Sequence, residues 1–402
     1  MKASEVPTFT DHFLVGNGSV EDIAGRFDRL RVENRIVKVD TAQGTYWMVL
    51  DYELMRECLQ NPAVFSSSSV TPLTPDPEFK MIPINLDPPE HTKWRRKMAP
   101  YFALSKIAAM REPLERRAEE LINGIKERGG CDYVAAFAHE FPTVVFLELM
   151  GLPIENLSTF LEWEAKILLP PRDGVFDSDR PQEGIFAVIG YFTEEVGRRR
   201  ETGDRPAGLL SDMMDWDIDG EQIPIESLLN CCLILFMAGL DTVADSMSLM
   251  MYHLAKVPAD RALVARQASE SGSVADVVEE LLRFHAVAEI GRKITEDIEL
   301  DGAQLKAGEL ILFPLVSANR DQTLVDGGEH VDLNRGEPVP HLAFGVGPHR
   351  CIGSHLARLE MDIALTTWHR LIPSYELVKE PTGYWGNTHG VYDLELGSFG
   401  GA

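Results

Sequence analysis

The sequence predicts a mainly α protein with a minor β region. Three observations carry this. Apolar residues recur at helical spacing through most of the chain. One apolar-rich run, from 224 to about 256, continues without a proline. Strand-type alternation is confined to short stretches near the two ends and just after residue 290.

Residues 33–50, ENRIVKVDTAQGTYWMVL, alternate apolar and polar around a Gln-Gly pair and predict a hairpin. Helix-period patterns follow at 51–60, 90–102, 105–127, 133–150, 155–168 and 181–201. The intervening segment 65–89, FSSSSVTPLTPDPEFKMIPINLDPP, is too rich in Ser and Pro to form one regular element. Such a long irregular segment in a compact protein suits a lid or binding loop. At ~1.5 Å per residue, the run from Pro224 to Lys256 extends on the order of 50 Å and crosses the whole molecule. A helix at 273–285 leads into a strand region, 291–313, with turns at Asp-Gly and Lys-Ala-Gly. The run SHLARLEMDIALTTWHR reads as a helix, and 375–399 alternates around Thr-His-Gly as a closing hairpin. With no internal repeat and no low-complexity linker, residues 1–402 read as a single domain.

Composition narrows the class. The chain carries 38 basic and 63 acidic residues, a formal charge of −25, which predicts repulsion of nucleic acid and of anionic membrane. Its five cysteines, Cys58, Cys131, Cys231, Cys232 and Cys351, are odd in number and lack framework spacing, so a reducing, cytoplasmic compartment fits better than secretion. The N-terminal twenty residues show no basic-then-apolar leader. The most apolar stretch, LLNCCLILFMAGL, lies between Glu226 and Asp241 and is too short for a bilayer, so a soluble protein with a buried core helix is expected.

The chemistry begins at 344–353, FGVGPHRCIG. Gly345, Gly347 and Pro348 shape an irregular loop, and Cys351 stands just ahead of a helix whose free N–H groups and dipole favour an anionic sulfur. A lone cysteine is usually a small packed hydrophobe. Here Gly353 leaves room for a flat group near the backbone, and the arrangement suits a single soft axial ligand to iron. Phe344, Gly347, Cys351 and Gly353 closely resemble, in type and spacing, the heme-binding signature of the cytochrome P-450 family.

Other segments extend the resemblance. AGLDT, 238–242, by itself admits a plain reading, a helix with glycine for close packing and threonine bonding back to a carbonyl one turn earlier. Yet Asp241 and Thr242 interrupt a strongly apolar run, and the segment resembles the family's oxygen-activation motif. That resemblance implies that Thr242 hydrogen-bonds dioxygen or an ordered water, that Asp241 brings in protons, and that Ala238 and Gly239 keep the helix surface low beside a porphyrin. Glu280 and Arg283 in EELLR share a helix face, where such pairs are common and weak. The resemblance implies instead a buried structural network joined by Arg335. It also places His91 and Arg95, four apart in DPPEHTKWRR, with Arg292 and His349 at the propionates of a heme b. The likeness covers nearly the whole chain, including KAG at 306–308 and NRD at 319–321, and is nearest to the soluble bacterial, camphor-hydroxylase-like group.

The fold implied is the cytochrome P-450 fold, with a long central helix over the heme and small antiparallel sheets. The activity implied is insertion of one oxygen atom from O₂ into a small hydrophobic substrate, by a monomer receiving electrons from a separate ferredoxin and its reductase. Candidate pocket residues are Phe79, Met81, Ile234, Met237, Val287, Ile290 and Val391, with core packing an equal reading for Ile234 and Met237. Lys93, Arg95, Arg96, Lys97, Arg350 and Arg358 could form a docking patch, or instead bind propionates and pair with acids such as Glu90 and Glu360. Two other readings stand beside this one: a zinc site from His349, Cys351 and His355 with His341 nearby, and a heme enzyme of peroxide-dependent or isomerising type.

Overall fold

The computed structural model describes residues 7–10, 15–41, 44–72, 76, 79–172 and 179–400, the side chains at 10 and 41 aside. The first helix, α1 (Val20–Arg31), lies outside the helical stretches predicted above. Its start is a capping box: Ser19 Oγ accepts from the Asp22 N–H at 3.2 Å, and the Asp22 carboxylate accepts from the Ser19 N–H at 3.3 Å. Helix α2 (Tyr52–Leu59) is capped by Asp51, which accepts from the Leu54 N–H at 2.8 Å.

The predicted 90–102 helix is α3 (Glu90–Met98) followed by a 3-10 turn, Ala99–Phe102. The 105–127 helix divides into α4 (Leu104–Ala108) and α5 (Arg111–Glu127). The 133–150 helix begins with a π-helical turn, Val134–Ala138, and continues as α6 (Glu140–Met150). Pro142 has no N–H to give the Ala138 carbonyl, and the ladder resets at that point, leaving His139 at the junction. Then come α7 (Leu157–Ile167), α8 (Asp179–Thr202) and the short α9 (Leu209–Met213).

Helix α10 (Ile225–Lys256) is the long central element. By length and composition it could cross a membrane, but more than half of its most apolar stretch is buried within the protein, and it packs against α6, α8 and α14 (Ser354–Leu371). It is the core helix that the sequence predicts. Before α14 come α11 (Pro258–Glu270), which the periodicity did not separate from its neighbours, α12 (Ala275–Phe284) and α13 (Leu315–Asn319).

The strands form small sheets. In the six-stranded one, the predicted hairpin (Ile36–Thr41 with Gly44–Val49) pairs through Tyr46–Met48 with Leu310–Leu312 in parallel, and strand Glu289–Ile294 lies antiparallel beyond that. The C-terminal segment is two nested hairpins rather than one. Ser374–Leu377 pairs with Glu395–Gly400, and inside it Gly383–Trp385 pairs with His389–Val391. The inner hairpin reaches α10, and a bridge from Ala288 to Thr388 ties it to the start of strand Glu289–Ile294.

Candidate active site

The cysteine loop is built by two left-handed glycines, Gly345 (φ +63°) and Gly347 (φ +77°). A Cβ at 347 would lie 2.7 Å from the Leu59 carbonyl oxygen, so that position admits only glycine. The Cys351 N–H donates to the Phe344 carbonyl at 2.8 Å, closing the loop three residues ahead of α14. Cys351 is exposed, yet protein surrounds it closely enough for burial to raise its thiol; the Gly353 N–H, Arg95, Arg350 and Arg358 act against that rise. The sulfur therefore faces interior space, in a setting where a metal ion rather than solution pH would deprotonate it.

Beside the loop is a set of basic groups without carboxylate partners. The His91 and His349 rings lie 3.9 Å apart, tilted by 32°, and His349 Nε2 meets Ser67 Oγ at 3.1 Å. His91 Nδ1 is buried with no hydrogen-bond partner. Burial first, and then the nearby arginines, lower His91 to about 4 against an opposing pull from Asp87, and His349 to about 3. Arg292 is buried and donates to the Gly291 carbonyl at 2.7 Å; burial lowers it to about 10. Arg95, lowered by burial, donates to the Arg350 carbonyl. The structure thus gathers the four residues predicted from three stretches of sequence. An unpaired imidazole nitrogen beside two guanidinium groups is a donor set for anionic oxygens, and it fits the two carboxylates of a heme.

On α10, Ala238 and Gly239 are exposed in the middle of an otherwise buried run, and a Cβ at 239 would meet nothing within 4 Å. Thr242 Oγ1 donates to the Ala238 carbonyl at 2.9 Å, so its hydrogen is committed and its lone pairs remain to accept. Asp241 is 1% exposed; its Oδ2 accepts from Thr388 Oγ1 at 2.7 Å and its Oδ1 has no partner. One turn on, Asp245 Oδ1 accepts from the Tyr384 hydroxyl at 2.5 Å. Both hydroxyls come from the inner C-terminal hairpin. It can sit this close because residue 390 is glycine, where a Cβ would stand 1.9 Å from Asp245 Oδ1. Burial, opposed by His139 and by the Thr388 hydrogen bond and aided by Glu164, raises Asp241 to about 6. Asp245 rises well above the ordinary carboxylate range, through burial and then the neighbouring Asp241.

Strand Glu289–Ile294 joins the two halves of the site. Its neighbour Ala288 bridges to Thr388, which holds Asp241. Ile290 Cδ1 lies 3.5 Å from the Cβ position of Gly345, and Arg292 sits with the histidine pair. Of the other pocket candidates, Phe79 packs edge-on to Phe186 at 5.6 Å, the Met81 N–H donates to Asn85 Oδ1 at 2.9 Å, and Met237 is half-buried. Val287 and Val391 are buried within the helical core, and Ile234 is buried outside that cluster.

Glu280 and Arg283 are far from an exposed pair. Arg283 is fully buried and bidentate on Glu280, at 2.8 Å twice, and it also donates to the carbonyls of Asn319, Gly328 and His330. Arg335 Nε adds a third contact to Glu280 at 3.3 Å. Half of the basic patch is neutralised: Lys93 pairs with Glu90 and Asp219, Lys97 with Asp217, and Arg358 with Glu279. Glu360 is buried and has no part in these pairs. Arg96 remains exposed. His341 also bonds Glu279, and among the described residues no metal-type cluster includes Cys351, as the zinc reading would need.

The sequence reading missed one buried pair. His139 Nδ1 meets Glu164 Oε1 at 2.8 Å, and these two with Asp241 place three ligating atoms within 4.8 Å of one another. They come from three helical segments with no shared motif. The available cue was Glu164 itself, a carboxylate on an otherwise apolar helix face.

Comparison with known proteins agrees with this geometry. A family model described as Cytochrome P450 matches residues 274–376, which hold the Glu280 network and the cysteine loop. Cytochrome P450-SOY of Streptomyces griseus is 32% identical over 340 residues, 82% of this chain and 80% of that protein. Cytochrome P450 GfsF of Streptomyces halstedii is 33% identical over 77% of this chain and 75% of its own length. The crystal structure of cytochrome P450 CYP101C1 superposes with a TM-score of 0.85 at 25% identity, covering 99% of both chains. An accessible cysteine in its glycine loop, a basic set beside it and the α10 acid–threonine pair thus stand together in a chain with relatives of this name along four-fifths of its length, and the chain belongs to the cytochrome P450 family of heme-thiolate monooxygenases.

Proposed function

We propose that the protein hydroxylates or epoxidises a small apolar molecule with O₂, as one soluble, cytoplasmic, monomeric unit drawing electrons from a separate ferredoxin. The observation that carries this reading is the open face of α10 at Ala238 and Gly239, flanked by a threonine with free lone pairs and a buried acid. Bound heme, ligated by Cys351 and held by His91, Arg95, Arg292 and His349, supplies the redox chemistry at oxygen. Asp241, raised to about 6, can both take up and release a proton near neutral pH. Thr242, its own hydrogen bonded back to Ala238, accepts a hydrogen bond from a donor in the open space. A protein that only isomerises or only consumes peroxide has less use for this pair. The half-buried Phe79, Met81, Met237 and Ile290 favour an apolar substrate.

The experiment is a screen of hydrophobic compounds for a low-spin to high-spin Soret shift in the heme-loaded protein, then turnover under labelled O₂. Label in the product supports the reading; product formed without O₂ overturns it. Thr242→Ala is expected to cut product per electron by on the order of 100-fold while electron consumption continues. Fully coupled turnover in that variant would remove Thr242 from the mechanism. For the electron donor, the exposed Arg96 and the adjoining Lys97 are the groups to test. The double variant Arg96→Gln/Lys97→Gln is expected to slow reduction by ferredoxin and flatten its salt dependence, and an unchanged salt slope would place docking elsewhere.

A further inference from the structure

We propose that His139, oriented by Glu164, is the positioning residue that recharges Asp241 with protons from solvent. This rests on the monooxygenase reading above and adds to it a route inward from the surface.

The geometry is a short ladder. Glu164 Oε1 bonds His139 Nδ1 at 2.8 Å, and Thr143 Oγ1 donates to the His139 carbonyl at 2.7 Å, so ring and backbone are both held. Asp241 lies within 4.8 Å of the pair, a gap that one hydrogen-bonded water spans, and its Oδ1 is buried without a partner. Only one of the three groups keeps appreciable accessible area. The His139 side chain is 13% exposed, against 1% for Glu164 and 1% for Asp241. The other oxygen of Asp241 is occupied by Thr388, which leaves Oδ1 as the end that can receive.

The electrostatics keep the proton on His139 at rest, so transfer to Asp241 runs uphill by the gap between about 9 and about 6 and proceeds as Asp241 gives its own proton onward. Burial alone would lower His139, but the Glu164 carboxylate, with Asp241 and Asp245 behind it, raises the imidazole to about 9. Near neutral pH the ring is therefore mostly imidazolium, a proton store that a metal ion could enter only by displacing that proton. Asp241, raised to about 6, stands below the imidazole and close to neutral pH. The other titratable groups facing it are Asp245 and, through Asp245, Tyr384, and burial raises both well above their ordinary values. In the step itself, an N–H bond of the imidazolium breaks and an O–H bond forms at Asp241 through the bridging water. Bulk water then reprotonates the ring. One proton enters per cycle and no electrons move.

The test uses the purified heme-loaded protein as its ferrous carbon monoxide complex, with labelled histidine. His139 is expected to titrate near 9, and in Glu164→Gln to fall to or below the ordinary 6.5. In turnover, coupling of electrons to product is expected to hold to about pH 9 and to fall above it. His139→Asn, which keeps a polar side chain but carries no titrating proton, is expected to lower coupling at least about tenfold at neutral pH and to erase that upper limb. Its carbon monoxide spectrum and substrate-induced spin shift should match wild type. A wild-type His139 titrating at or below 6.5, or a His139→Asn variant with wild-type coupling and pH profile, overturns the relay. Failure of the carbon monoxide complex to form would instead strike at the heme reading, and the histidine titration would still report on the pair.

Discussion

Cys351→Ser is expected to take turnover to background and to abolish the red-shifted Soret band by which a thiolate-ligated ferrous carbonyl is recognised. The substitution is nearly isosteric, so the loop should survive: the Cys351 N–H still donates to the Phe344 carbonyl, and Gly345 and Gly347 keep their left-handed turns. What changes is the donor atom. A serine hydroxyl ionises far less readily than a thiol and lacks the soft, electron-rich character that lets a thiolate push density through iron. The basic set of His91, Arg95, Arg292 and His349 does not depend on the sulfur, so part of the heme should remain bound with an altered spectrum. Controls come from the same chain. Burial pushes the Cys58 and Cys131 thiols up to about 12, and their serine variants should keep the thiolate band. A Cys351→Ser protein that retained the band would refute the ligand assignment.

Legibility in the sequence followed how local each feature is. The cysteine loop could be read because ten contiguous residues hold its turns, its ligand and its helix start. The long helix could be read because its apolar run has no competing signal. Helix α1 was missed although Ser19 and Asp22 stand three apart as a capping box, a cue that periodicity alone passes over. The nested C-terminal hairpins, and the hold of Thr388 and Tyr384 on Asp241 and Asp245, join residues about 140 positions apart through tertiary packing. No spacing rule reports such a contact. His139 and Glu164 were hidden for the same reason, since each is an ordinary polar residue until α6 and α7 meet α10. The pair Glu280 and Arg283 shows the opposite case: its spacing alone suggests a weak surface pair, and the buried network with Arg335 was legible only through the family resemblance.

That burial makes Glu280→Ala the second large expected effect, a loss of about 3–5 kcal/mol in folding stability. Arg283 is fully buried, and its guanidinium N–H groups are spent on Glu280 and three backbone carbonyls. Removing the carboxylate strands a cation in the interior and releases the Asp332 N–H, which donates to Glu280 Oε1 at 2.9 Å. Against a typical domain stability of roughly 5–15 kcal/mol, a loss of that size leaves a protein that unfolds early in denaturant and holds heme poorly. Glu280→Gln keeps the shape and one acceptor and should recover part of the loss. The pH dependence has a defined sign. Burial alone would raise the Glu280 carboxyl, but the bonds from Arg283, the Asp332 N–H and Arg335 override it and hold the group below its ordinary value. A carboxyl depressed by folding stabilises fully above its unfolded value, and the contribution is lost as pH falls through the folded one. Wild type should therefore lose stability on acidification more steeply than Glu280→Gln, which has no proton to gain at this site. Denaturant midpoints across acidic pH measure the difference. Parallel curves for the two proteins would mean that the network adds nothing through its charge and acts by packing alone.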